Sequence, residues 1–212
     1  MDPRLKTPSN ILVVGPSKSG KTTFVCRMIR ERNEMFRDPL PRVLFCYTEW
    51  QSVFDALKKV EGVTMHEGLP KDFYSPFDGK PGMLVMDDLM VEGAGDPELE
   101  KLITRGSHHR QLTTVCLSQN LFRKGMRTQN LNTHYVVAFK NPRDRTQMGY
   151  LFRQAFPKHQ KAAEEAFKEA TQDRYGYLLF DFETDTPDEL RLRTRIFPSD
   201  KGPQIVYEPK EV

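Results

Sequence analysis

Asn10-Ile11-Leu12-Val13-Val14-Gly15-Pro16-Ser17-Lys18-Ser19-Gly20-Lys21-Thr22-Thr23 is the stretch on which the fold turns. Its first half is apolar and β-branched, the composition of a buried strand. Its second half meets the spacing G-x-x-x-x-G-K-[ST] without a mismatch. It also stands where such a loop must stand, after a strand and at the start of a helix. Glycines let the backbone wrap closely round an anion, while successive N–H groups and the helix dipole point at it. Gly15, Pro16, Ser17, Lys18, Ser19, Gly20, Lys21, Thr22 and Thr23 are therefore expected to hold ATP. Lys21 is expected to reach the β- and γ-phosphates, and the Thr22 hydroxyl to ligate Mg²⁺. A chance glycine turn would not carry both flanks.

Outward from this loop, short apolar runs alternate with helical segments. Strands are expected at Val43–Tyr47, Met83–Asp87, Thr113–Ser118, Tyr135–Phe139 and Tyr175–Phe182. Helices are expected at about Lys21–Glu34, Val53–Val60, from Pro97, at Arg143–Phe156 and at Gln160–Ala170. Continuous apolar strands that alternate with helices imply a mainly parallel sheet covered on both faces, the α/β fold of P-loop NTPases. At 212 residues the chain suits one domain. Residues 1–197 are read as the P-loop ATPase domain and residues 198–212, rich in Pro, Lys and Glu, as an extended C-terminal tail. Arg191, Arg193 and Arg195 alternate, which puts them on one face of a strand.

Hydrophobic residues make up 38% and charged residues 29% of the chain, with a net charge of +3. That balance permits a nucleic-acid partner without requiring one. Cys26, Cys46 and Cys116 lie in separate apolar runs, as free buried thiols in a reducing compartment would. With no apolar leader and no membrane-length run, the expectation is a soluble intracellular protein without a membrane partner.

Met83-Leu84-Val85-Met86-Asp87-Asp88 is the expected partner of the loop, an apolar strand delivering carboxylates at its C-terminal end. Asp87 is the candidate for holding Mg²⁺, and Asp88 for orienting or deprotonating the attacking water. Glu49, at the end of the second strand, is a rival for that water, although it could simply cap the next helix. Gln119 in Ser118-Gln119-Asn120 is placed to sense the γ-phosphate. Arg105 and Arg110, in a segment that could reach a subunit edge, are both candidates for an arginine entering a neighbour's site. A solvated basic turn reads equally well there. Arg123, Lys124 and Arg127 surround Gly125, as in a loop facing a DNA channel, where phosphate contact needs only positive charge.

GTP-binding switches carry an Asn-Lys-x-Asp element, which is missing here. The Gln119 strand stands between the acidic strand and any lid, an added strand typical of the ring-motor (RecA/ASCE-like) branch. Within it, Met86-Asp87-Asp88-Leu89-Met90, the helix to Arg105, Gly106 and His108, then Leu117-Ser118-Gln119-Asn120 and Asp144-Arg145 resemble the FtsK/HerA superfamily of DNA-pumping ATPases. Phe139-Lys140-Asn141-Pro142-Arg143-Asp144-Arg145 and Arg193-Thr194-Arg195-Ile196-Phe197-Pro198 look most like its viral genome-packaging members, the poxvirus packaging ATPase and the Polinton and adintovirus types. The resemblance implies a homo-oligomeric ring, pentameric or hexameric. Such a ring hydrolyses ATP with Mg²⁺ at subunit interfaces while driving double-stranded DNA into a viral capsid, with capsid protein as a further partner. Many members carry Glu where this chain has Asp88, which leaves the catalytic carboxylate open between Asp88 and Glu49. A small-molecule (nucleoside-type) P-loop kinase and a nucleotide-dependent capsid assembly module remain as alternatives.

Overall fold

The computed structural model describes residues 2–89, 96–106, 111–122 and 132–208. One nine-stranded sheet, of order β3-β2-β4-β5-β1-β6-β7-β8-β9, runs through the molecule. Its strands are β1 (Asn10–Val14), β2 (Arg42–Tyr47), β3 (Val63–Glu67), β4 (Gly82–Asp87), β5 (Leu112–Ser118), β6 (Tyr135–Phe139), β7 (Tyr177–Asp181), β8 (Leu192–Thr194) and β9 (Ile205–Val206). From β3 across to β6 every pairing is parallel. From β6 to β9 every pairing is antiparallel. The mainly parallel sheet flanked by helices matches the expectation, and β5, which carries Ser118, lies between β1 and β4.

The continuous apolar strands follow from burial on both faces. Leu12, Leu44, Leu84 and Met86 face a core completed by Leu99 and Leu102 of α4 (Pro97–Lys101) and the π turn Leu102–Gly106, Leu151 and Phe152 of α5 (Thr146–Ala155), and Ala163 and Ala166 of α6 (Gln160–Ala170). Their neighbours Ile11, Val13, Phe45, Met83 and Val85 face Phe24, Val25, Met28 and Ile29 of α1 (Lys21–Arg30) and Met35 of α2 (Arg32–Met35), with Phe54 and Leu57 of α3 (Phe54–Leu57). Cys26, Cys46 and Cys116 are free and buried, as expected. Among the described residues no helix is long and apolar enough to cross a membrane.

Details depart from the sequence reading, beginning with the stretch read as an extended tail, where Ile205–Val206 pairs with β8 as β9. The helix expected to Glu34 breaks at Glu31, whose backbone leaves helical geometry at φ −97°, ψ 9°. Beyond the break the buried Arg32 turns its guanidinium to the carbonyls of Leu40, Ile29 and Glu61. Strand β3 was not expected: it is a half-exposed edge strand, so its residues carry no continuous apolar run. Finally, the three alternating arginines do not share one strand face. Only Arg193 lies in β8, buried against Asp181, while Arg191 precedes the strand and Arg195 follows it at φ 53°.

Candidate functional site

Gly15 leaves β1 with its N–H donating to Ser118 O across the β1–β5 pair (3.1 Å). A Cβ at Gly15 would stand 2.8 Å from both Phe139 Cβ and Ser19 Oγ, so only glycine fits this turn. The loop then curls back, with Ser19 N–H on Pro16 O at 3.2 Å and with Lys18 and Gly20 in left-handed backbone geometry at φ 64° and φ 105°. Gly20 is the N-cap of α1, and no side chain caps that end and no acidic residue stands in its first turn. The first amides of α1 are left to an outside acceptor, and the positive end of the helix dipole faces the same way. Ser19 Oγ is buried without a hydrogen-bond partner among the described residues, which adds a second polar group poised for a ligand.

Lys21 lies folded over this cradle, buried, its Nζ donating to Gly15 O (2.7 Å) and Pro16 O (3.1 Å). Burial lowers its pKa, against the opposing charges of Asp88 and Asp87. Thr22 Oγ1 donates to Asp87 Oδ2 at 3.3 Å, which joins the first turn of α1 to the end of β4. A hydroxyl and a carboxylate meeting beside an anion cradle form a hard-oxygen donor set, which suits Mg²⁺. Asp87 is 6% exposed. Burial, with Asp88 adding to it, pushes its pKa up to about 6, partly offset by Thr22 and Lys21.

A carboxyl that titrates higher in the folded state than in the unfolded chain favours folding only while it is protonated. The ligand-free protein therefore loses this stabilisation as pH rises through the window between about 4 and about 6. Urea unfolding across that range is expected to show a downward component in the wild type that Asp87→Asn lacks. Parallel curves for the two proteins would refute the assignment.

Asp88, exposed, turns out of the strand in left-handed geometry at φ 56°, followed by the buried Leu89. Gln119, also exposed, follows β5 one residue beyond Ser118, level with the loop because Val14 pairs with Ser118. Glu49 is exposed two residues beyond β2, on the other side of β4. Lys21, Thr22, Asp87, Asp88 and Gln119 thus gather at one end of the sheet, where β1, β4 and β5 finish. Arg105 lies in the π turn Leu102–Gly106, but its side chain is outside the described residues. Arg110, Arg123, Lys124 and Arg127 also lie outside them, as do Met90 and His108.

Two sets of residues at this end had no signal in the sequence reading. Gln147 Oε1 accepts from Leu121 N–H (2.7 Å) and Phe122 N–H (3.0 Å), while its Nε2 donates to Asp144 Oδ2 (2.5 Å). It thereby fixes the segment that follows Gln119. Beside the loop, a cavity of about 620 Å³ runs from Lys18, Gly20, Lys21, Thr22 and Thr23 to Gln51, Arg174 and Tyr175. A larger groove of about 740 Å³ lies between α6 and β8 and contains none of the loop residues.

No family model matches the chain, and no curated protein matches it in sequence. Solved structures do match its fold. The DNA-packaging ATPase B204 of Sulfolobus turreted icosahedral virus superposes with a TM-score of 0.57 at 11% identity, over 100% of both chains. The genome packaging NTPase B204 of Sulfolobus turreted icosahedral virus 2, in complex with ATP-γ-S, gives 0.53 at 13% identity over 99% of both chains. The cytoplasmic domain of the type VII secretion ATPase EccC of Thermomonospora curvata gives 0.57 at 11% identity, over 84% of this chain but only 24% of its own. At these identities the likeness is one of fold, that of P-loop ATPases.

Proposed function

We propose that this chain is the ATP-hydrolysing subunit of a ring motor that moves double-stranded DNA, as in viral genome packaging. The observation that carries the reading is the Thr22–Asp87 contact beneath an uncapped phosphate-binding loop. The end-to-end match to the fold of B204, named as a DNA-packaging ATPase, supports the choice of cargo.

In this reading the loop amides and Ser19 receive the phosphates, and Lys21 moves from Gly15 O and Pro16 O onto the β- and γ-phosphate oxygens. Thr22 and Asp87 hold Mg²⁺, which when bound neutralises charge on the phosphates. We assign water activation to Asp88 rather than Glu49, because Asp88 directly follows Asp87 at the end of β4, whereas Glu49 lies beyond β2, one strand further from the loop. Gln119, level with the loop, reads whether the γ-phosphate is present. Arg105 or Arg110 completes the site of a neighbouring subunit, and Arg123, Lys124 and Arg127 follow the DNA backbone. This reading makes the protein a homo-oligomer with active sites between subunits.

Phosphate release by the purified protein is the test. Added duplex DNA is expected to stimulate turnover several-fold at low salt. The DNA affinity is expected to fall steeply as salt rises, because each phosphate contact releases a counterion. ATP hydrolysis by a verified ring that duplex DNA leaves unchanged at every salt concentration would reject translocation while leaving the ATPase assignment standing.

A further inference from the structure

At the far side of the loop cavity stands Tyr175, one of the exposed large hydrophobic side chains, with 53% of its surface open. Its position is held from behind. Gly176 N–H donates to Asp173 O at 3.0 Å, and a Cβ on Gly176 would collide with Ala170 O at 2.4 Å. That packing keeps Tyr175 in left-handed geometry at φ 67°, a conformation that bulky residues seldom hold. The ring edge comes to rest over the phosphate loop, with Cδ1 3.1 Å from where a Gly20 Cβ would be. The Arg174 guanidinium stands 4.7 Å from the ring centroid. Among the described residues Arg174 makes no ion pair within 4.0 Å.

The other aromatic rings of this cavity are spent on packing. Phe24 meets Phe139, Tyr177 and Phe197 edge-on at 5.9, 4.8 and 4.9 Å, and all four are buried or half-buried. Exposed Trp50 is braced by Tyr47 and Phe54. Exposed Tyr150 lines no part of this cavity. Tyr175 alone of the described aromatics combines an open ring, a strained and fixed backbone and a place beside the phosphate loop. The cavity is also of the size that small-molecule sites have, a few hundred to about a thousand Å³.

We infer that Tyr175, backed by Arg174, is the platform on which the nucleobase of the bound triphosphate stacks. The inference rests on the triphosphate reading of the loop and adds the base-recognising residues to it. Stacking uses a π-face that every base has, so the platform ranks ligands by base area: purine above pyrimidine, and a triphosphate without a base lowest. Base-edge hydrogen bonding from Gln51, which lines the same cavity, is the remaining source of discrimination.

Titration calorimetry of the whole chain with Mg-ATP and with inorganic triphosphate plus Mg²⁺ separates the possibilities. Tyr175→Ala is expected to weaken ATP about tenfold or more, the scale of one lost stack, and to leave inorganic triphosphate unchanged. Tyr175→Phe should bind both probes as the wild type does. Arg174→Ala should weaken ATP a few-fold, as loss of an exposed cation–π contact would. An unchanged ATP affinity in Tyr175→Ala would overturn the platform. So would equal weakening of both probes, since the ring would then be acting on the loop through Gly20. If the wild type bound neither probe, the triphosphate reading itself would fall, and the platform with it.

Discussion

Lys21→Ala is expected to leave a folded protein that no longer turns over ATP, with hydrolysis reduced by at least about two to three orders of magnitude. The size of the effect comes from the setting. The ammonium is buried and bonded to two loop carbonyls, so it is already desolvated and aimed along the floor of the cradle. A charge pre-positioned where phosphate charge shifts in the transition state is worth far more than the same charge in water. The fold should be spared, because among the described residues Nζ donates only to Gly15 O and Pro16 O, and solvent can satisfy both once the side chain is gone. Asp88→Asn is the contrasting arm: it keeps the cradle and Lys21, so nucleotide affinity should persist while turnover falls. Phosphate release and nucleotide titration on the same preparations, with melting curves as the folding control, make the comparison. Turnover within tenfold of wild type in Lys21→Ala would remove the loop from the chemistry.

What could be read from the residues alone divides along physical lines. Strands β1, β2, β4, β5 and β6 were legible because burial on both faces leaves an unbroken apolar run in the chain. Strand β3 was not, since Val63, Met65 and His66 are half-buried while Thr64 and Glu67 are exposed, which leaves no periodic signal. The loop and Asp87 were legible because their chemistry demands particular residues at fixed spacing. Their meeting, Thr22 against Asp87, bridges 65 positions of sequence and depends on β5 seating itself between β1 and β4.

Gln147 and Tyr175 were missed for the opposite reason. A glutamine that fixes two backbone amides, and a tyrosine that rests its ring on a loop glycine, use residue types that occur anywhere. Their roles exist only once α5 and the turn before β7 have been brought alongside the loop.

The second large effect is one of stability, at the opposite end of the sheet. Asp181→Ala is expected to cost about 3–5 kcal/mol, because it strands a buried guanidinium. Arg193 and Asp181 expose only 3% and 4% of their side chains, and Arg193 Nη2 donates to Asp181 Oδ2 at 2.5 Å. Burial lowers the Arg193 pKa while Asp181 counteracts it. Even so, arginine does not give up its proton in a protein, so without Asp181 the charge must either stay unpaired or draw water in. Its Nε has no partner among the described residues, and Nη1 is committed to Pro3 O at 2.6 Å. Asp181 also accepts from Glu183 N–H and Thr186 Oγ1, both at 3.0 Å, so the turn after β7 loosens with it. For a chain of this length the loss corresponds to roughly 10 °C in Tm. Replacing both charges, as Asp181→Leu with Arg193→Met, should recover most of that loss, since no ion is then left buried. A double variant no more stable than Asp181→Ala would show that the pair's charge is not the cause. Nucleotide affinity should not move in either variant. Asp181 pairs with Tyr135 at the start of β6, whereas the loop side is marked by Tyr177 paired with Phe139, so the full length of β7 separates the ion pair from the site.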